Sequence, residues 1–513
     1  MNNNVPMSSL YTLADDAGIP HTEVDEWIEQ RNKGKAVKNA VDTRNEDMYL
    51  NLDTMILDVH RGLVIFKRDT YTDFYEYHDG VYSLIDTTSM EHLVDRFMFE
   101  NGLLQHRASR RKVADTVARI ESSLARNNKV ITQDKVIHQP WKINLRNGLL
   151  DPLTETLSEH TPDYFSTNQI PFDYDPSKKI DRFAEFLQDV AHGDPDQSKM
   201  LQEVFGYCLL NGNPLHKIFF FYGNSGRNGK STTSKIISGL IGEDNVSSLS
   251  LDQVNASNSS ILTNIIGKQI NISDEGNSKY IDSQTLSSIA SEGAVTIDPK
   301  YRSSFTYKIT AKFIVNCNNI PRSKDDIGLR GRMMIVPFKT KFTNDGDKKP
   351  IPNYDAILLN EEGSAILNWA LEGTRKVLQD KSFTVSDLST EDLEDYKMES
   401  NSVYAFLRSC FTFSETHEIP LTSEQLYGRQ REDKDRPATM YIKFCHDTNV
   451  KPLSLQNFRS TMKGIVEKGD AQFPGLREER ATNTATGKPG ARVYVGIMDS
   501  SLVDDANYTD FQD

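Results

Sequence analysis

Residues 217–231 read KIFFFYGNSGRNGKS. The apolar run from Ile218 to Tyr222 predicts a strand. A glycine-rich turn follows and closes on Gly229-Lys230-Ser231, after which TTSKIISGLIG (232–242) reads as a helix. Strand, Gly-rich loop, Lys-Ser and helix form the layout of a phosphate-binding loop. The backbone from Gly223 through Asn224, Ser225, Gly226, Arg227, Asn228 and Gly229 to Lys230, Ser231 and Thr232 would cradle the phosphates, aided by the positive helix end. In that layout Lys230 reaches the β- and γ-phosphates and the Ser231 hydroxyl holds Mg²⁺.

The spacing departs from the standard G-x-x-x-x-G-K-[ST], whose first glycine would fall at Asn224. If Gly223 is the start, the loop is one residue longer. The added residue calls for a special backbone turn at Gly226 or Asn224, residue types that tolerate left-handed conformations.

A phosphate loop alone says only nucleotide. A metal-binding acid, a water activator and a positive charge for the transition state must come from elsewhere. The stretch QINISDE (269–275) alternates like a strand and ends on Asp274-Glu275. Carboxyl ends of strands are where ligands bind in open α/β sheets. Asp274 would serve Mg²⁺ together with Ser231, and Glu275 would orient or deprotonate the attacking water. KFIVNCNNIP (312–321) is a second apolar strand, ending in Asn316, Asn318 and Asn319. Asn318 is the candidate sensor of the γ-phosphate or the lytic water. GLRGRMMIVPF (328–338) places Arg330 and Arg332 just before a third strand. Arg332, with Arg330 second, is the candidate finger that a neighbouring subunit would supply.

The chain has 513 residues, enough for three or four domains. It carries 59 Lys+Arg against 73 Asp+Glu, a net charge of −14, which excludes a generally basic nucleic-acid coat. Cys208, Cys317, Cys410 and Cys445 show no metal-type spacing, which points to a reducing compartment. No signal-peptide pattern and no long apolar run is present, so the expectation is a cytoplasmic protein with no membrane contact. Composition divides the chain into a polar tail (1–45), an α+β N-terminal region (46–210), a nucleotide-binding α/β core (211–345), a helical segment with an acidic linker (346–399), a last domain (400–498) and an acidic tail (499–513).

With these pieces in order, the chain resembles the superfamily 3 helicases, in particular the primase–helicases of phages, plasmids and poxviruses. The matching stretches are YGNSGRNGKST, NISDE, EGAVTIDPKYRSSFTYKITAKFIVNCNNIP and GLRGRMMIVPF. Upstream, INLRNGLLD, HTPDYFSTNQIPFDYDP and FAEFLQDV…LQEVFGYCLL look like the region preceding the helicase in that group. The resemblance covers roughly 46–495 and implies an AAA+-like ATPase core, with 46–210 as an oligomerisation collar. It implies a hexameric ring that binds ATP between subunits and moves 3′→5′ on single-stranded DNA, in a bacterial host cytoplasm if the gene is carried by a phage or mobile element. The lengthened loop departs from the family. No primase domain fits before residue 46, so a priming partner or polymerase is expected on another chain.

Residues 296–341 hold ten Lys/Arg against three acids, opposite to the whole chain. Within them VTIDPKYRSSFTYKI reads as two strands flanking PKYRSS, which the resemblance implies is the pore hairpin. Lys300 and Arg302 would bind phosphates and Tyr301 would stack on a base or sugar. At 400–498, helical runs are followed by strand, long turn and strand, the order of a winged helix. Ser454 would cap SLQNFRSTMKGIVEKG as its recognition helix, with Arg459 and Lys463 one turn apart on the DNA side. Two other readings stay open: a P-loop ATPase that remodels protein or packages DNA, and a nucleotide-regulated origin-binding initiator that does not unwind.

Overall fold

The computed structural model describes residues 52–69, 71–100, 110–223, 226–254, 256–274, 280–281, 283–300, 302–320, 322–323, 327–414, 421–428, 441–468, 473–482 and 489–499, together with 20–22 and 25. Most of both tails therefore lies outside the described residues, as do Asn224, Ser225, Glu275 and Tyr301.

The described chain is a mixed α/β structure with several separate sheets. Near the N-terminus, strands β1 (Leu63–Lys67), β2 (Thr72–His78), β3 (Val81–Ile85) and β4 (Val130–Thr132) form one sheet in the order β3-β2-β1-β4. Strand alternation sorts its side chains. Leu63, Ile65 and Phe74 pack under helices α1 (Leu52–Val59), α2 (Thr87–Glu100) and α3 (Arg110–Arg126). Val64, Phe66 and Tyr75 face the other way and meet Tyr82 and Phe165. Helices α4 (Arg182–Val190) and α5 (Pro195–Cys208) lead into the core.

The core sheet has five parallel strands: β5 (Ile218–Tyr222), β6 (Val246–Ser247), β7 (Ile270–Asp274), β10 (Lys312–Cys317) and β11 (Met333–Pro337). Their order is β11-β5-β10-β7-β6. The antiparallel hairpin β8 (Ala294–Ile297) and β9 (Phe305–Lys308) sits outside that sheet. Ile218 to Phe221 is apolar at every position because both faces of β5 are covered. Phe219 and Phe221 pack with α4, α5, α6 (Lys230–Ile241) and α7 (Tyr354–Asp380), through Phe183, Phe205, Ile236 and Ile366. Ile218 and Phe220 pack with Leu262, Ile289 and the hairpin residues Ile297 and Phe305. The hairpin is thus seated on one face of the sheet that holds the loop.

The acidic stretch after residue 385 differs from its reading as a linker. It forms helix α8 (Asp387–Ser400), anchored on the core. Ser389 donates to the Ile335 carbonyl at 2.5 Å, Asp392 pairs with Lys339 at 2.7 Å, and Tyr396 is buried. Acidic composition concealed the side of this helix that packs, where one of its acids, Asp392, is itself buried.

Beyond it, helices α9 (Ser402–Cys410), α10 (Tyr441–Asp447) and α11 (Leu455–Lys468) enclose their own core around Phe406, Tyr441 and Phe458. A hairpin of β12 (Arg477–Thr482) and β13 (Pro489–Val495) follows, and its turn lies outside the described residues. Among the described residues no helix is long and apolar enough to cross a membrane.

Candidate nucleotide site

Strand β5 ends at the loop, and the loop is folded around the amine of Lys230. Lys230 is only 7% exposed. Its Nζ donates to the Gly223 carbonyl at 3.0 Å, to Asn228 Oδ1 at 2.9 Å and to Asn318 Oδ1 at 3.0 Å. Asn228 is itself buried, and its Nδ2 donates to the Phe338 carbonyl at 3.2 Å. The close approach of Asn228 explains Gly223: a Cβ there would stand 1.9 Å from Asn228 Nδ2.

The left-handed turns fall elsewhere than composition suggests. Gly226 is not left-handed and has open space around it, and Asn224 lies outside the described residues. Instead Arg227 takes φ 60° and Gly229 φ 91°. Arg227 is held there because its carbonyl accepts the Phe342 N–H at 2.8 Å. Gly229 needs its hydrogen for a second reason: a Cβ would stand 2.8 Å from Val190.

Helix α6 begins at Lys230, so Ser231, exposed, and Thr232, half-buried, occupy its first turn. One turn on, buried Ser234 donates to Asn316 Oδ1 at 2.7 Å, and Asn316 Nδ2 donates to Asp274 Oδ1 at 3.1 Å. Strand β10 lies between β5 and β7, and its register sets Asn316 beside Asp274. The carboxylate therefore hangs from the same helix that carries Ser231. Sequence reasoning noted Asn316 as a strand-ending polar residue and gave it no role, and it missed Ser234. Only the parallel register brings the two together. Glu275 lies outside the described residues.

Arg332 sits at the opposite end of the sheet. Its carbonyl accepts the Ile218 N–H at 2.9 Å, so it lies the length of β5 away from the loop, about 15 Å at strand rise. It does not reach Lys230 of its own chain. Its Nε donates to Ser291 Oγ at 2.8 Å. Burial, and next the charge of Arg332, holds the neighbouring Lys217 amine below the usual lysine range. Arg330 is half-buried, and its Nε and Nη2 have no hydrogen-bond partner.

The basic hairpin is partly committed. Lys300 is exposed at its tip. Arg302 instead pairs with Asp73 at 3.4 Å and lies 5.2 Å over the Tyr71 ring, both in the N-terminal region. The Thr306 N–H donates to Asp69 at 3.3 Å, and Gln133 bonds both backbone groups of Lys308. Lys312, counted in the basic excess, is fully buried and donates to the Leu210 carbonyl, so it offers nothing to a phosphate. Tyr301 lies outside the described residues.

Two family models match this chain. Residues 221–332 match a family of unknown function, DUF5906, and residues 76–192 match the family described as D5 N terminal like. The first match holds the loop, Asp274, Asn318 and both arginines. A curated relative, the uncharacterized mitochondrial protein ymf21 of Marchantia polymorpha, is 26% identical over 141 residues, 24% of this chain and 78% of that protein. Among solved structures, an apo structure of the NrS-1 C terminal region matches with 12% identity and a TM-score of 0.45, over 70% of this chain and 78% of that one. An apo form spanning residues 305–718 of NrS-1 matches with 11% identity and a TM-score of 0.43, over 87% of this chain and 99% of that one.

In the C-terminal part, Ser454 Oγ accepts the Asn457 N–H at 3.3 Å, capping α11. Arg459 and Lys463 are both exposed on that helix. Lys463 pairs with Glu467 at 3.4 Å and shares a cavity of about 330 Å³ with Glu478, Glu479 and Arg480 of β12. This surface mixes both signs of charge, where the sequence reading counted only its bases.

Proposed function

We propose that this chain is an ATP-dependent DNA helicase of the primase–helicase type, with an AAA+-like core, working as a ring of identical subunits, six by the family resemblance. The observation that carries the reading is the meeting of three separate sequence motifs at the carboxyl ends of adjacent parallel strands. Lys230 touches Asn318, and Asn316 ties the Lys230 helix to Asp274. The residues fit a nucleotide: a buried amine ringed by neutral oxygens, a close approach of Asn228 that only a glycine at 223 admits, and a left-handed turn at Gly229. Lys230 would hold the terminal phosphates, Ser231 and Asp274 would hold Mg²⁺, Glu275 would position the water and Asn318 would report the γ-phosphate. Bound Mg²⁺ supplies charge neutralisation at the phosphates. The distance of Arg332 from its own loop supports its use by a neighbouring copy, since it lies at the far end of the strand that leads to that loop.

Lys300 is the favoured DNA contact, and the partners of the working enzyme would be single-stranded and forked DNA and a separate primase or polymerase. The test is ATP hydrolysis with and without single-stranded DNA, followed by strand displacement on a 3′-tailed fork. Hydrolysis stimulated by DNA, and displacement lost in Lys300→Ala with basal hydrolysis kept, is the expected result. Hydrolysis without displacement would support a remodelling or packaging ATPase, and no hydrolysis at all an initiator.

A further inference from the structure

Arg68 follows β1 at the border between the N-terminal region and the core, far from the loop in sequence. Its side chain is only 6% exposed. Nε donates to Asp73 at 2.7 Å, and the guanidinium lies 5.0–5.7 Å from the rings of Phe66, Tyr71, Phe305 and Tyr307. Its Nη1 is buried with no hydrogen-bond partner. A buried donor left unmet is unfavourable, the more so when it is charged. A cavity of about 210 Å³ adjoins it. Tyr75, Phe165 and Tyr307 give that cavity aromatic walls, and Glu292 adds an acceptor. Trp141, 40% exposed, and half-buried Lys142 and Lys268 also line it.

We propose that this cavity binds a single nucleotide, base inward. A nucleobase is flat, stacks on aromatic walls, and offers a carbonyl or ring nitrogen to the unmet Nη1. Its phosphate would meet Lys142 and Lys268. A free mononucleotide and an unstacked nucleotide of a DNA strand share this chemistry. Tyr307 and the Gln133 bonds to Lys308 tie the site to the β8–β9 hairpin, so occupancy would brace that hairpin. The proposal stands on Arg68 and the cavity and does not require the loop to hydrolyse ATP.

The test uses the full chain carrying Lys230→Ala, so that the phosphate loop contributes little. Tryptophan emission is followed while dTMP, an oligo-dT and an oligo-dT with abasic positions are titrated in turn. Quenching that vanishes in Trp141→Phe and weakens at least tenfold in Arg68→Met is expected. Response to dTMP identifies a free nucleotide as the ligand. Response to oligo-dT alone, lost in the abasic strand, identifies a strand nucleotide. If Arg68→Met fails to fold, Lys142→Glu combined with Lys268→Glu must weaken the same signal tenfold. No Trp141-dependent quenching by any of the three, or quenching indifferent to these substitutions, overturns the proposal.

Discussion

The loop that ends at Lys230 and the hairpin that carries Lys300 and Arg302 are both basic, and both are attached to one parallel sheet, yet they hold their charges differently. Lys230 is enclosed by groups from its own loop and the next strand. Arg302 leans on Asp73, 229 positions away, and its neighbours Thr306 and Lys308 lean on Asp69 and Gln133. One site is organised by its own module, and the other borrows its orientation from a different region. A loop of the first kind holds Lys230 through Gly223, Asn228 and Asn318, outside the β1–β4 sheet, and keeps these contacts when that sheet moves. A hairpin of the second kind moves only by breaking those contacts.

The largest expected effect tests the loop. Lys230→Ala should lower the rate of ATP hydrolysis by about 10³-fold or more, with the fold intact by circular dichroism. A rate near wild type would show that the enclosure of Lys230 is structural alone. A second lysine in the same sheet sharpens the contrast. Lys312 opens strand β10, near whose far end Asn318 meets Lys230, and burial pushes its pKa down to about 8. Below pH 8 both folded and unfolded chains keep its proton, and the fold bears the full burial penalty. Between about 8 and the ordinary lysine value only the unfolded chain keeps it, so stability gained from this group rises with pH. Lys312→Met should be more stable than wild type near pH 7, because methionine escapes the burial penalty on the charge, less the cost of leaving the Leu210 carbonyl without its donor. That advantage should shrink toward pH 10.5, measured by urea unfolding at each pH. A gap constant with pH would remove burial as the cause.

Glycine substitutions separate steric need from composition within the loop. Gly223→Ala should displace Asn228 and cost about 1–3 kcal/mol in stability, with weaker nucleotide binding. Gly226→Ala meets nothing within 4 Å and should stay within about 0.5 kcal/mol of wild type. Equal effects at both positions would contradict the cradle around Lys230.

The same contrast explains what could be read from the sequence. Strand, loop, Lys230 and helix are contiguous, so local spacing suffices to place them. Asp274 and Asn318 announce themselves as polar ends of apolar runs. The Ser234–Asn316–Asp274 chain does not, because it depends on which strands are neighbours and in what register. The turn at Arg227 was hidden by a rule about residue type, which favours glycine or asparagine, whereas a backbone bond to Phe342 decides it. The burial of Lys312 was hidden by charge counting. The contact of Arg302 with Asp73 is not legible in the sequence, because the two lie 229 positions apart in separate regions.

That pairing supplies the smallest effect and the finest test of the comparison. Arg302 is well exposed and its contact with Asp73 is 3.4 Å long, so the pair is worth about 1 kcal/mol or less. Asp73 has a second, buried partner in Arg68 at 2.7 Å, so removing Arg302 leaves the carboxylate paired. Arg302→Ala should therefore change stability by less than about 1 kcal/mol. Its effect on single-stranded DNA then decides the role of the hairpin. If Arg302 exchanges Asp73 for a phosphate on binding, the substitution lowers affinity several-fold and reduces the dependence of binding on salt by about one charge. If Arg302 stays on Asp73 and only braces the hairpin, affinity at low salt falls while the salt slope is unchanged. A titration of DNA binding across salt concentrations, with Lys300→Ala alongside as the exposed comparison, separates the two.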